Sequence, residues 1–315
     1  MSLQKAPLVT SGLVLGLLGL GNLLKDISLT LNAVCGIFAF LLWLHLLCTM
    51  FKNFNTVKEQ LNNPLISSVF TTFFMSGFLG TTYLKAFFSN ITIINSLITP
   101  FWILCLVGII GHMIVFSFKF LKGFSLVNVY PSWTVLLIGI AIAGLTAPVT
   151  GYYLIGKLSV IYGFLATCII LPIVFNRLKA YPLQTSIKPN ISTICAPFSL
   201  VSAAYVITFP ETNDFIAIIL LILAQIFYFY IIIQLPKLLK EPFSPVFSAF
   251  TFPLVISATA LKNSLPLLMF PIIWQCLLFF EILLATLIVF RVLVGYIQYF
   301  LKKKHDEKSL HHVSQ

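Results

Sequence analysis

Pro7-Leu-Val-Thr10 stands at the head of a long apolar run, and its pattern returns as Pro64-Leu-Ile-Ser67, Pro131-Ser-Trp-Thr134, Pro189-Asn-Ile-Ser192 and Pro245-Val-Phe-Ser248. In every copy a proline is followed three residues later by a serine or threonine, and the copies lie 57, 67, 58 and 56 residues apart. A period near 60 is about the length of two membrane crossings with their turns, so one two-helix unit has been used five times. Five such units set around an axis leave a conduit, and a pore is the architecture the pattern points to.

Composition fixes the medium. Hydrophobic residues make up 59% of the 315 and charged residues only 9%, with a mean hydropathy of +1.04; in soluble proteins charged residues alone reach about a quarter. The chain reads as an integral membrane protein. About 20 apolar residues cross ~30 Å of hydrocarbon as a helix, and ten such runs occur, at 8–24, 29–51, 64–84, 92–118, 131–152, 156–176, 190–209, 215–236, 244–261 and 268–300. The expected fold is therefore all-α, ten transmembrane helices forming five hairpins around a central pore. It comprises a single membrane domain, 1–301, and a cytoplasmic basic tail, 302–315. Short connections leave no room for a soluble domain. The first run follows only Lys5 and precedes no small-residue cleavage pattern, so it is expected to stay as a helix.

Basic residues set the expected orientation. With the N-terminus in the cytoplasm, 15 of the 19 lysines and arginines fall on that side, and only Lys25, Lys85, Lys157 and Lys262 fall outside. The positive-inside bias then puts both termini in the cytoplasm, as in a multi-pass protein of the cell membrane. Topology accounts for the net charge of +11, and Lys302-Lys303-Lys304 reads as an anchor to anionic lipid, not a nucleic-acid patch.

Each opening proline suits the first turn of a helix, where its missing N–H is not needed. The hydroxyls that follow, Thr10, Ser67, Thr134, Ser192 and Ser248, either bond back to that turn or face water at a pore mouth. Five helix N-termini converging on the cytoplasmic entrance would favour an anion there. Eight residues past the prolines come Leu15 beside Gly16, Thr72, Gly139, Pro197 and Pro253. Gly16, Gly139, Pro197 and Pro253 are expected kinks, either lining a conduit that satisfies the freed backbone groups or serving simple helix packing.

The odd-numbered helices carry no Asp, Glu, Lys, Arg or His within their apolar runs. A titratable group for proton coupling could come only from the even helices, which offer Glu281, His45 and His112. Glu281, near mid-membrane, is either a coupling group or a structural hydrogen-bonding one. Neither histidine has a second ligand at helical spacing, and the six cysteines lie within apolar runs with no C-x-x-C pair, so they read as buried reduced thiols. No metal and no cofactor is expected. An enzyme is not expected either: the eight acidic residues include no carboxylate pair in a span, and there is no H-E-x-x-H.

Five hairpins of this length with proline-led odd helices, the segment Phe247-Ser-Ala-Phe-Thr-Phe-Pro-Leu254, the opening Pro131-Ser-Trp-Thr134, and Gly12, Gly16 and Gly19 in the first helix together make the chain resemble the tellurite-resistance/dicarboxylate transporter family. This is the family of bacterial TehA and the plant guard-cell slow anion channel. The resemblance spans nearly the whole chain through short motifs. It implies that odd helices line the pore, even helices form an outer ring, and three subunits assemble as a homotrimer with one pore each. It also implies a phenylalanine plug on the ninth helix, matching Phe252, with Phe250 the competing assignment. The repeat register agrees with Phe252: seven residues past the prolines lie Val14, Thr71, Ile138, Ala196 and Phe252, so one bulky aromatic faces four smaller side chains.

The function expected is that of an anion channel or transporter, moving small inorganic anions or C4-dicarboxylates through a phenylalanine-gated pore. The alternative is a proton-coupled malate, dicarboxylate or sulfite carrier using Glu281. The expected partners are a small anion, the lipid bilayer and further copies of the chain.

Overall fold

The computed structural model describes residues 4–209 and 211–301; the basic tail 302–315 lies outside them. Thirteen α-helices occur among the described residues, with no strand. They are α1 (Thr10–Leu24), α2 (Leu29–Lys52), α3 (Phe54–Gln60), α4 (Pro64–Phe88), α5 (Thr92–Phe120), α6 (Trp133–Ile138), α7 (Ile142–Leu145), α8 (Ala147–Thr150), α9 (Tyr153–Ala180), α10 (Ala196–Thr208), α11 (Asp214–Leu238), α12 (Thr251–Ser264) and α13 (Pro271–Leu301). Counting 3₁₀ segments joined to them, eight helices are long and apolar enough to cross a membrane. Thr10–Leu24 and Trp133–Leu145 are apolar but shorter.

Burial sorts the helices into two layers. The most apolar windows of α4, Thr185–Thr208 and Pro245–Leu267 are 72–78% buried, whereas those of α2, α5, α9, α11 and α13 are only 22–44% buried. The second group presents Phe, Ile, Leu and Val outward, as a lipid-facing surface requires. In the inner layer α1 packs on α4, α4 on α6, α6 and α7 on α10, α10 on α12, and α12 back on α1. The inner layer is thus a closed ring, and each inner segment also packs on the outer helix that follows it in sequence.

Local chemistry explains where the inner helices start and break. Pro64 opens α4 as expected, with Asn63 Oδ1 accepting from the Leu65 and Ile66 N–H groups at 2.9 and 3.2 Å. Pro7 and Pro131 instead lie just ahead of α1 and α6, in turns where Thr10 N–H donates to Pro7 O and Thr134 N–H to Pro131 O, each at 3.0 Å. Pro189 lies inside a 3₁₀ stretch, Thr185–Cys195, and Pro245 opens another, Pro245–Phe250. The tighter i→i+3 pattern gives way to α-helix at Ala196 and Thr251, so Pro197 and Pro253 fall in first turns, where neither needs an N–H.

The fifth apolar run is broken more than its length suggested. Gly139 begins a 3₁₀ turn after α6, and Pro148 restarts the chain as α8, which ends at Gly151 with φ of +78°. Gly16 behaves differently: α1 runs unbroken through it. A β-carbon there would lie 2.4 Å from Thr251 Cβ, so Gly16 permits close helix approach where the sequence suggested a kink.

Candidate anion pore

The repeated hydroxyls and their neighbours join the inner ring seam by seam. Between α1 and α4, Ser11 Oγ and Thr72 Oγ1 are 2.7 Å apart. Between α4 and the α6 entry, Ser68 Oγ meets Ser132 Oγ at 2.7 Å. At the next seam Ser132 N–H donates to Asn190 Oδ1 at 3.0 Å and Thr134 Oγ1 to Thr193 O at 3.4 Å. Ser192 Oγ then donates to Ala249 O at 2.6 Å, and Thr251 Oγ1 to Gly12 O at 3.0 Å. Every seam therefore carries a side-chain hydrogen bond from Ser, Thr or Asn, the kind of polar link that joins helices where lipid offers no hydrophobic drive.

Inside this ring lies a small cavity of about 20 Å³. Its walls are Gly12 of α1, Val69 and Thr72 of α4, Val135 of α6, Thr193 of the 3₁₀ stretch before α10, and Ser248, Ala249, Phe252 and Pro253 at the start of α12. All five inner segments contribute and no lining residue is charged. That volume suits about one water molecule. A much larger cleft, about 600 Å³, runs between α11 and α13. It is bordered by exposed Ile222, Ile226 and Ile233 and belongs to the lipid-facing side, not to the ring.

Of the residues predicted for the pore, Phe252, Ser248 and Pro253 are among the cavity's lining residues. Val14, Thr71, Ile138 and Ala196 are buried but do not line it. Thr71 Cγ2, for example, lies where a β-carbon on Gly139 would meet it at 3.1 Å, on the seam between α4 and the 3₁₀ turn. Thr10 and Ser67 also lie off the cavity; Ser67 O meets His112 Nε2 at 2.8 Å. Thr134 and Ser192 bond back to Pro131 O and Pro189 O, each at 2.7 Å, the local capping alternative. Phe250 is fully buried and packs edge-on against Phe247, with ring centroids 5.3 Å apart, away from the cavity.

Sequence reasoning missed Gly12, Val69, Val135, Thr193 and Ala249, which lie four or five residues past the opening prolines, not seven. A signal was present: the position four past the proline is Ser11, Ser68 and Thr193 in three repeats. A 3₁₀ helix turns about 20° more per residue than an α-helix, or about 140° over seven residues. A ring extrapolated on α-helical geometry alone therefore loses phase in repeats that open with 3₁₀ turns.

Glu281 is wholly buried on α13 and does not line the central cavity. Gln225 of α11 and Ser257 of α12 approach its carboxyl, yet neither carboxyl oxygen completes a hydrogen bond of normal geometry. His45 and His112 each bond a single backbone carbonyl, of Gln4 at 3.0 Å and Ser67 at 2.8 Å. Among the described residues no three His, Cys, Asp or Glu side chains gather as a metal site. Cys35, Cys105 and Cys195 are buried thiols; Cys48, Cys168 and Cys276 are exposed, which corrects the expectation that all six are buried. At the far end of α12 from the cavity, Lys262 Nζ pairs with Asp26 at 2.7 Å and donates to Leu23 O at 3.0 Å. Lys262 holds the Asp26 carboxyl below its ordinary pKa, first through that hydrogen bond and then through its charge.

A closed ring of buried helices inside a shell of helices with outward apolar faces, with a small uncharged cavity at its centre, fits a multi-pass membrane protein of the channel or transporter class. The chain belongs to the SLAC1 family of voltage-dependent anion channels, whose profile matches residues 6–294. A comparison with curated proteins gives no match. Family membership confirms the resemblance read from the repeats and places the chain in a family of anion channels and transporters.

Proposed function

We propose that this protein is an anion channel, or a channel-like transporter, of the cytoplasmic membrane, passing small inorganic anions or C4-dicarboxylates through a pore closed by Phe252. In this reading the ten apolar segments all cross the bilayer as five hairpins, and both termini are cytoplasmic. The protein assembles as a homotrimer with a pore in each subunit. The observation that carries the reading is the small central cavity, to which all five inner segments contribute, with one bulky aromatic and no charged side chain. An uncharged wall is compatible with passage, because conduction requires binding weak enough for the ion to leave.

The carrier alternative needs a titratable group that meets the substrate. Glu281 sits off the cavity, beyond α12, which favours the structural role for it. Purified protein in liposomes, assayed for flux of chloride, nitrate, sulfite, malate and tellurite with and without a pH gradient, tests the proposal. Anion flux that follows the anion's own gradient supports it; flux of no anion, or flux only with a proton gradient, contradicts it.

A further inference from the structure

Val9, Leu65 and Val69 form a small group of buried apolar side chains set apart from the main core, and Tyr130 and Ile187 pack against it. All but Val69 stand within two residues of an opening proline: Val9 after Pro7, Leu65 after Pro64, Tyr130 before Pro131 and Ile187 before Pro189. Val69 lines the central cavity, and Leu65 lies about one helical turn nearer the start of α4. Val9 directly precedes α1, three residues short of the cavity-lining Gly12. The group therefore covers the cavity on its proline side.

Ile187 shows that the group spans the mouth of the ring and does not fill one seam. It belongs to the fourth inner segment, whose neighbours in the ring are the third, α6 and α7, and the fifth, α12. The side chains it packs against belong to the first and second segments, so the contact crosses the opening. Tyr130 is held in its place there. The Arg177 guanidinium lies over its ring, 5.1 Å from the centroid, and is itself fixed by donating to Tyr181 O at 2.6 Å and to Val127 O at 3.4 Å.

An anion entering such a place must shed water with no polar side chain to replace it, and an apolar constriction that dries out blocks ions even where it is not sterically sealed. We propose that Val9, Leu65, Val69, Tyr130 and Ile187 form a second barrier at the proline end of the pore, an apolar gate in series with Phe252 that stops anions by excluding water. The inference rests on the pore reading above and adds to it a second closure. For two barriers in series the one that remains sets the flux, so lowering this one shows only after Phe252 is removed.

The test measures chloride flux in liposomes. Val9→Thr keeps the shape of the side chain, adds a hydroxyl that water can wet, and suits the residue that caps α1. In Phe252→Ala protein it should raise flux several-fold over Phe252→Ala alone, whereas Val9→Ile, larger and still apolar, should not raise it. With Phe252 intact, Val9→Thr should leave flux near its original level. Ile187→Asn, at a half-buried site, repeats the polar substitution if Val9→Thr folds poorly. If Phe252→Ala conducts and neither polar variant adds to it, or Val9→Ile adds as much as Val9→Thr, the second gate is overturned while the pore reading stands. If neither Phe252→Ala nor the combined variants carry chloride, both are overturned.

Discussion

Thr251 Oγ1 shares its proton between Ser248 O at 2.7 Å and Gly12 O at 3.0 Å, and the second contact joins residues 239 positions apart and closes the inner ring between its last helix and its first. The seam has little slack, because glycines 12, 16 and 19 of α1 face Ser248, Thr251 and Val255 across it.

Widening that seam should be costly. Gly16→Ala places a β-carbon 2.4 Å from Thr251 Cβ and Oγ1 and should destabilise the protein by about 1–3 kcal/mol, the usual cost of overpacking. Gly111→Ala, on an outer helix where a β-carbon meets nothing within 4 Å, should be neutral or mildly stabilising through helix propensity. Thermal unfolding of the two variants in detergent makes the comparison, and equal losses would contradict the close packing of α1 on α12.

The orientation is checked by labelling. In a cysteine-free background, Lys25→Cys and Lys157→Cys should react with an impermeant thiol reagent added outside intact cells, while Lys122→Cys should not. The reverse pattern would invert the topology and move the ring's opening prolines to the outer face.

Much of this ring was legible in the sequence. The proline-to-hydroxyl spacing located all five inner segments, and the lack of charge within them foretold an uncharged cavity. Family resemblance and repeat register converged on Phe252, which does border that cavity. The other four members of its predicted level were not recoverable by counting from the prolines. Pro189 and Pro245 open 3₁₀ stretches whereas Pro64 opens a regular α-helix, so equal counts reach different faces. The role of Gly16 was equally hidden, because a glycine that bends a helix and one that admits a neighbour look alike until the neighbour, here Thr251, is seen.

At the opposite end of α12, the Asp26–Lys262 pair should show itself only in acid. A carboxyl with a depressed pKa adds stability that is fully present above its unfolded value, near 3.8, and is lost as pH falls through the lower folded value. Because Asp26 is largely exposed, the effect should be small. Thermal stability of Asp26→Asn relative to the unmodified protein should show a slight deficit at neutral pH that disappears below about pH 4. A deficit that persists in acid would show that the ion pair is not its cause.

Glu281 provides the test of proton coupling. Flux in the unmodified protein should be indifferent to a pH gradient, and Glu281→Gln should leave that indifference intact. Stimulation by inward protons that vanishes in Glu281→Gln would establish the carrier mechanism instead.

The most direct measurement is anion flux through Phe252→Ala in liposomes, with Phe250→Ala beside it. If Phe252 closes the pore, its removal should raise flux many-fold while costing less than the ~3–5 kcal/mol typical of a phenylalanine deleted from a packed core, since a cavity already adjoins it. Phe250→Ala, from a fully buried site off the cavity, should cost stability and leave flux near its original level. Unchanged flux in a folded Phe252→Ala protein, or opening by Phe250→Ala alone, would contradict the account.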